Sequence, residues 1–211
     1  MRRLYFAVIV SAGLVAAAAA SAAQSPALGK LALRPAQVGS GYRMSLLPNG
    51  SRVSGEVSLD LCGQRFPSET LRTARLQVAY RHQGNVVQVS NELVRYRPGG
   101  ALEAMRELRY VAVHCPRGPV TGPVRGVGPV TYRLTQLADD RLLGQHVAVK
   151  MHMAGRVGGK PLAETVVAVY QIRGDVLSAV YTDGHGTLAD RVRVGLHAAE
   201  QSAGKLRALV R

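Results

Sequence analysis

Apolar and polar positions alternate most clearly over 74–82. Leu76, Val78 and Tyr80 point one way, and Arg75, Gln77 and Arg81 the other. A period of two marks a half-buried strand. His82-Gln83-Gly84-Asn85 is turn chemistry, and a second strand is expected over 86–96. Its apolar parity shifts between Val89 and Val94, which predicts a β-bulge near Ser90–Glu92. Pro98-Gly99-Gly100 breaks the pattern, and the period then lengthens. Ala101, Met105, Leu108 and Ala112 share one face of a helix that Cys115-Pro116 ends.

Further strands follow the same logic. Val130, Tyr132 and Leu134 alternate with polar neighbours, and Val147, Val149, Met151 and Met153 face away from His146, Lys150 and His152. Residues 155–161 read as a loop. Residues 162–172 are β-branched and apolar, as in a central strand. Arg173-Gly174-Asp175 is a tight turn into 176–182. Leu188, Val192, Leu196, Ala199, Ala203 and Leu206 line a last helix. A short strand is also expected over 42–47, ended by the turn Pro48-Asn49-Gly50. Hairpins dominate, so the class is α+β: a twisted, mainly antiparallel sheet of about five to six strands with two main helices. Hairpin, glycine break and helix occur twice, in 74–115 and 145–210, without repeating residue identities.

The N-terminus changes the picture of where this fold works. Arg2 and Arg3 precede an apolar run from Leu4 to Ala20, and Ser21-Ala22-Ala23 supplies small residues for cleavage. That is the layout of a signal peptide over residues 1–23, removed on export. Residues 24–34 are expected as a flexible leader, and 35–211 as a single domain, giving a secreted, extracellular monomer without a membrane span after cleavage. The chain carries 27 Lys and Arg against 13 Asp and Glu. Loss of Arg2 and Arg3 leaves a mature charge of +12. Two cysteines, Cys62 and Cys115, form an even count in an exported chain and predict one disulfide.

Candidate chemistry is sparse. The six histidines are scattered, and His146 and His152 stand about 20 Å apart along one strand, too far to share a metal. Neither a metal nor a cofactor is expected. Asp183 and His185 permit a catalytic reading, yet they also suit a strand-to-helix loop. Arg173-Gly174-Asp175 spells an integrin tripeptide but satisfies a hairpin turn. No phosphate-cradling glycine loop, nucleophile elbow or zinc-protease motif is present. The densest basic residues are Arg72, Arg75, Arg81, Arg95, Arg97, Arg106 and Arg109. They predict a basic surface drawn to an anionic cell-envelope component, or a plain solvated face. No aromatic RNA-binding motif accompanies them, so nucleic acid is not an expected partner.

Leu59-Asp60-Leu61-Cys62-Gly63, Arg75 opening a strand, Tyr96 closing the next, Ala101 opening a helix and Cys115-Pro116 ending it resemble the PknH-like extracellular sensor domain. The hairpin from Tyr170 through Gly174-Asp175-Val176-Leu177 is similar too. That family occurs as the extracellular part of actinobacterial Ser/Thr kinases and as stand-alone secreted or lipid-anchored proteins. The resemblance implies an open cleft that binds an undefined small ligand, and no catalytic residues. The family's kinase member has two disulfides where this chain makes one. The leading expectation is therefore a non-enzymatic, sensor-like domain binding an envelope or extracellular ligand. The alternatives are a small envelope-modifying hydrolase using Asp183 and His185, and a basic protein held on envelope polymers by charge.

Overall fold

The alternating segments pair into one seven-stranded antiparallel sheet, ordered β1-β2-β3-β7-β6-β5-β4. The strands are β1 (Tyr42–Leu46), β2 (Arg72–His82), β3 (Gln88–Tyr96), β4 (Val127–Gln136), β5 (His146–Val157), β6 (Lys160–Arg173) and β7 (Val176–Asp183). This computed structural model describes residues 26–210 except 83, 85, 86 and 124–126. The expected signal peptide lies outside the described residues, as does part of the turn after His82. The sheet is wider than expected because β1 and β4 both join it as edges.

Two expected irregularities are absent. β3 pairs continuously from Gln88 to Arg95 with β7, and no bulge interrupts Ser90–Glu92. The apolar parity shifts there because β3 is central and carries buried polar groups that bond to neighbouring elements. Asn91 Nδ2 donates to Ser178 Oγ at 3.0 Å, and Glu92 faces Arg75. The register shift lies instead between Arg72 and Ala74. The loop expected over 155–161 is only two residues long, since Val157 pairs with Lys160. Gly158 and Gly159 have φ of 54° and 79°, and a two-residue turn with both central residues left-handed matches the twist of the flanking strands.

Helices cover both faces. The sequence folds α4 (Leu188–Arg207) from a capped start: Thr187 Oγ1 accepts from the Asp190 amide at 3.1 Å. Its buried side is small, with Gly195, Ala198, Ala199, Ser202 and Ala203, so it seats closely on β6 and β7. Buried polar bonds fix its register. Ser178 Oγ lies 2.7 Å from Ser202 Oγ, and Gln171 Nε2 donates to the Ala199 carbonyl at 2.9 Å. Two short helices, α1 (Pro26–Gly29) and α2 (Pro35–Val38), share this face. The stretch expected as a flexible leader is thereby corrected. Leu28, Leu31 and Leu33 are buried with Val78, Tyr80 and Leu206, and Tyr80 donates its hydroxyl hydrogen bond to the Leu33 carbonyl at 2.6 Å. Their apolar side chains outweigh the polar spacing that made the segment look unstructured.

The opposite face carries α3 (Gly100–Val113) and the long segment between β1 and β2. The two strand–strand–helix echoes therefore place their helices on opposite faces. A two-fold axis relating the antiparallel neighbours β3 and β7 stands perpendicular to the sheet and keeps faces unchanged, so the echo is not a symmetric repeat.

Candidate functional site

The segment from Leu47 to Leu71 has only one short 3-10 turn, Pro67–Leu71. Side chains from the sheet and α3 hold it in place. Arg72 is the main clamp. Its Nη1 donates to Ser58 Oγ at 2.7 Å, its Nη2 to the carbonyls of Val53 at 3.1 Å and Glu56 at 2.5 Å. Glu69 accepts from the amides of Ser58 at 3.0 Å and Leu59 at 3.1 Å. Ser68 is tied to α3 through Glu107, whose carboxylate accepts from Ser68 Oγ at 2.5 Å. The expected bridge is present: Cys62 and Cys115 are bonded, with Cα atoms 5.7 Å apart.

Beneath the segment lies a buried polar interior. Arg75 Nε stands 2.5 Å from Glu92 Oε1, and its Nη1 donates to the Asn49 carbonyl at 3.0 Å. Burial pushes the Glu92 carboxyl up in pKa, and Arg75 opposes that shift. Tyr181 donates to the Ser58 carbonyl at 3.2 Å, and the Tyr170 and Tyr181 rings meet edge to face with centroids 5.7 Å apart. Asp60 sits beside them. Burial raises its pKa, and its Oδ1 has no hydrogen-bond partner among the described residues. Burial, and then the Asp60 charge, push the Tyr132 phenol up to about 12.

Arg72 and Arg75 thus do not belong to the expected basic surface. Both guanidinium groups are turned inward, because acceptors from the 49–69 segment and from β3 surround them. Arg81, Arg97, Arg106 and Arg109 are exposed, and Arg95 is half-buried. Nothing in the strand alternation distinguishes an inward arginine from an outward one, since Arg75 and Arg81 share a parity.

The pinned segment leaves a cleft of about 520 Å³ between its two arms. Val57, Phe66 and Pro123 give it apolar walls, Arg65 and Glu56 polar ones, and Glu69 and Arg72 close one side. A groove of about 440 Å³ lies on the other face of the sheet, between α2, α4 and Arg141. Its arginines are already engaged: Arg141 with Asp139 and Glu200, and Arg193 with Asp190.

Asp183 ends β7, and His185 follows in the loop before α4. His185 is exposed, and no hydrogen bond joins it to Asp183 among the described residues. The Asp183 charge also acts on Glu164, a residue that no sequence motif marks. Burial raises both carboxyls, the Asp183 charge adds to the rise at Glu164, and Arg191 pulls each back. His146 and His152 bond elsewhere, to the Leu143 carbonyl and to Thr165 Oγ1. Among the described residues, no group of three His, Cys, Asp or Glu side chains is arranged to hold a metal, and no helix is long and apolar enough to cross a membrane.

No protein-family model and no curated protein matches the chain. Among solved structures it is similar to the extracellular domain of PknH from Mycobacterium tuberculosis. The two are 14% identical over 82% of this chain and 93% of that one, with a TM-score of 0.47. It is also similar to a putative uncharacterized protein, an Rv0999 ortholog, from Mycobacterium smegmatis. That pair is 11% identical over 82% of this chain and 97% of that one, with a TM-score of 0.41. The structural neighbours thus include the domain whose family the sequence resembles.

Proposed function

We propose that this chain is an exported, non-catalytic, sensor-like domain that binds a small envelope or extracellular ligand in the cleft between residues 53–57 and 64–72. The carrying observation is that the arms of the cleft are pinned by the chain's own side chains. Arg72, Glu69, Ser68 and the Cys62–Cys115 bridge fix its arms from the sheet and from α3. A site organised in advance loses less conformational freedom on binding. Apolar walls with a few polar groups are the usual lining of a small-molecule site, and about 520 Å³ lies within the usual size range. The sequence resemblance supports the same reading.

Fractionated envelope extract added to isotopically labelled protein tests it. Shifts in the amide spectrum should centre on Val57, Phe66 and Thr70. A ligand at 100 times its Kd should stabilise the fold by about 2.7 kcal/mol. Val57→Trp, which fills the cleft, should abolish both effects while leaving the unliganded spectrum native. Ligand-induced shifts centred on Arg193 and His197 instead would move the site to the other face. Binding that Val57→Trp leaves intact would defeat the cleft reading.

A further inference from the structure

The outward side of α3 is built unlike a solvated helix face. Its core side, Ala101, Ala104, Met105, Leu108 and Val111, is buried against the sheet. At 100° per residue, Leu102, Arg106, Arg109, Tyr110 and Val113 fall within one arc of about 100° on the opposite side. A face pointing at water is ordinarily polar. Here Leu102, Tyr110 and Val113 are 40%, 65% and 68% exposed, the last two the large apolar side chains left most open among the described residues. The Tyr110 ring stacks on His114 with centroids 4.2 Å apart, which holds it along the helix rather than folded away. Of the two arginines, Arg106 pairs with Glu103, and Arg109 has no ionic partner among the described residues.

We infer that this stripe of α3 docks flat on an anionic lipid bilayer, with Leu102, Tyr110 and Val113 entering the headgroup boundary and Arg106 and Arg109 meeting lipid phosphates. Exposed apolar side chains ranked with arginines along one helix face are the pattern of an interfacial helix. The stripe runs about 16 Å from Leu102 to Val113, parallel to the helix axis, so a planar surface meets all of it at once. Charge selects the occupant. The whole chain is +14, and anionic lipid attracts basic residues near its surface. A second copy would set Arg106 and Arg109 against their own equivalents. This inference does not depend on the cleft. It also differs from attraction by net charge, because it assigns the contact to one face and makes the apolar side chains part of it.

Vesicle co-sedimentation tests it with the intact protein. Binding to vesicles of phosphatidylglycerol and phosphatidylcholine should exceed binding to phosphatidylcholine alone. The double variant Tyr110→Ser/Val113→Ser keeps the charge and should lose binding by about tenfold or more, as removing that much buried apolar surface requires. Arg106→Gln/Arg109→Gln should weaken binding clearly more than Arg133→Gln/Arg156→Gln, which removes the same charge from the other face of the sheet. All three double variants should keep the wild-type melting temperature, since these side chains are exposed. Absence of phosphatidylglycerol binding by the folded wild type would overturn the proposal. So would undiminished binding by Tyr110→Ser/Val113→Ser, or equal losses in the two arginine variants.

Discussion

Arg75 Nε meets Glu92 Oε1 at 2.5 Å between neighbouring strands, with side chains only 4% and 2% exposed. Neither charge is tolerable there alone. Arg75→Met or Glu92→Gln should each cost about 3–5 kcal/mol, because a buried charge is left uncompensated. Arg75→Met/Glu92→Leu should cost less than the sum of the matched single changes, since such pairs couple by roughly 0.5–3 kcal/mol. Urea unfolding of the four proteins in the Met/Leu cycle measures this. Additive losses would mean the two groups do not stabilise one another.

The bridge between Cys62 and Cys115 closes a loop with a sequence separation of 53. In the chain-entropy description a loop of that length contributes about 4 kcal/mol by restricting the unfolded chain. Cys62→Ser/Cys115→Ser should lower the unfolding free energy by about that amount. The same change should loosen the cleft, because Cys62 lies in the segment that forms it. An unchanged denaturation midpoint after reduction would contradict this.

Glu164 and Asp183 contribute to the pH response. Burial raises both carboxyls above their ordinary values, and the Asp183 charge adds to the rise at Glu164. The folded state therefore holds these protons more tightly than the unfolded chain does. Stability from that source is full below the unfolded pKa values and is lost as pH rises through the raised ones. Asp183→Asn should be more stable than wild type at neutral pH, and the difference should vanish in acid. Melting temperatures from pH 4 to pH 8 test it. A variant less stable than wild type at neutral pH would show that attraction to the Arg191 charge outweighs burial.

Leu28 and Leu33, upstream of the first strand, are fully or almost fully buried beside Tyr80 and Leu206. Leu28→Ala and Leu33→Ala should each cost about 2–5 kcal/mol, the usual loss for a large core side chain. Equilibrium unfolding measures it. Losses near zero would return this segment to the role of a loose leader.

Much of this architecture is local and was therefore legible. Strict alternation over 74–82 set β2, and the Gly174-Asp175 turn set the β6–β7 hairpin. The 3.6-residue spacing of Ala101, Met105 and Leu108 set α3, and two cysteines in an export-type chain set the bridge. In each case the deciding forces act among residues close in sequence, or within a pair that has no alternative. The tertiary structure decided which polar groups face inward. Arg75 and Arg81 look alike along β2, and only Glu92, Asn49 and Ser58 brought to one of them make burial tolerable. The polar residues of β3 disguised a continuous central strand as a bulge for the same reason: the Asn91 Nδ2 group and the Glu92 carboxylate find partners on other elements. The leader joined the core because α4, more than 150 residues later, supplies the surface it covers. On α3 the sequence holds apolar residues on two sides, and periodicity alone cannot say which side the sheet takes. The cleft is the extreme case, because 53–72 carries almost no repeating pattern. Its shape comes from individual hydrogen bonds to side chains of distant strands and helices, and no local rule encodes where those bonds end.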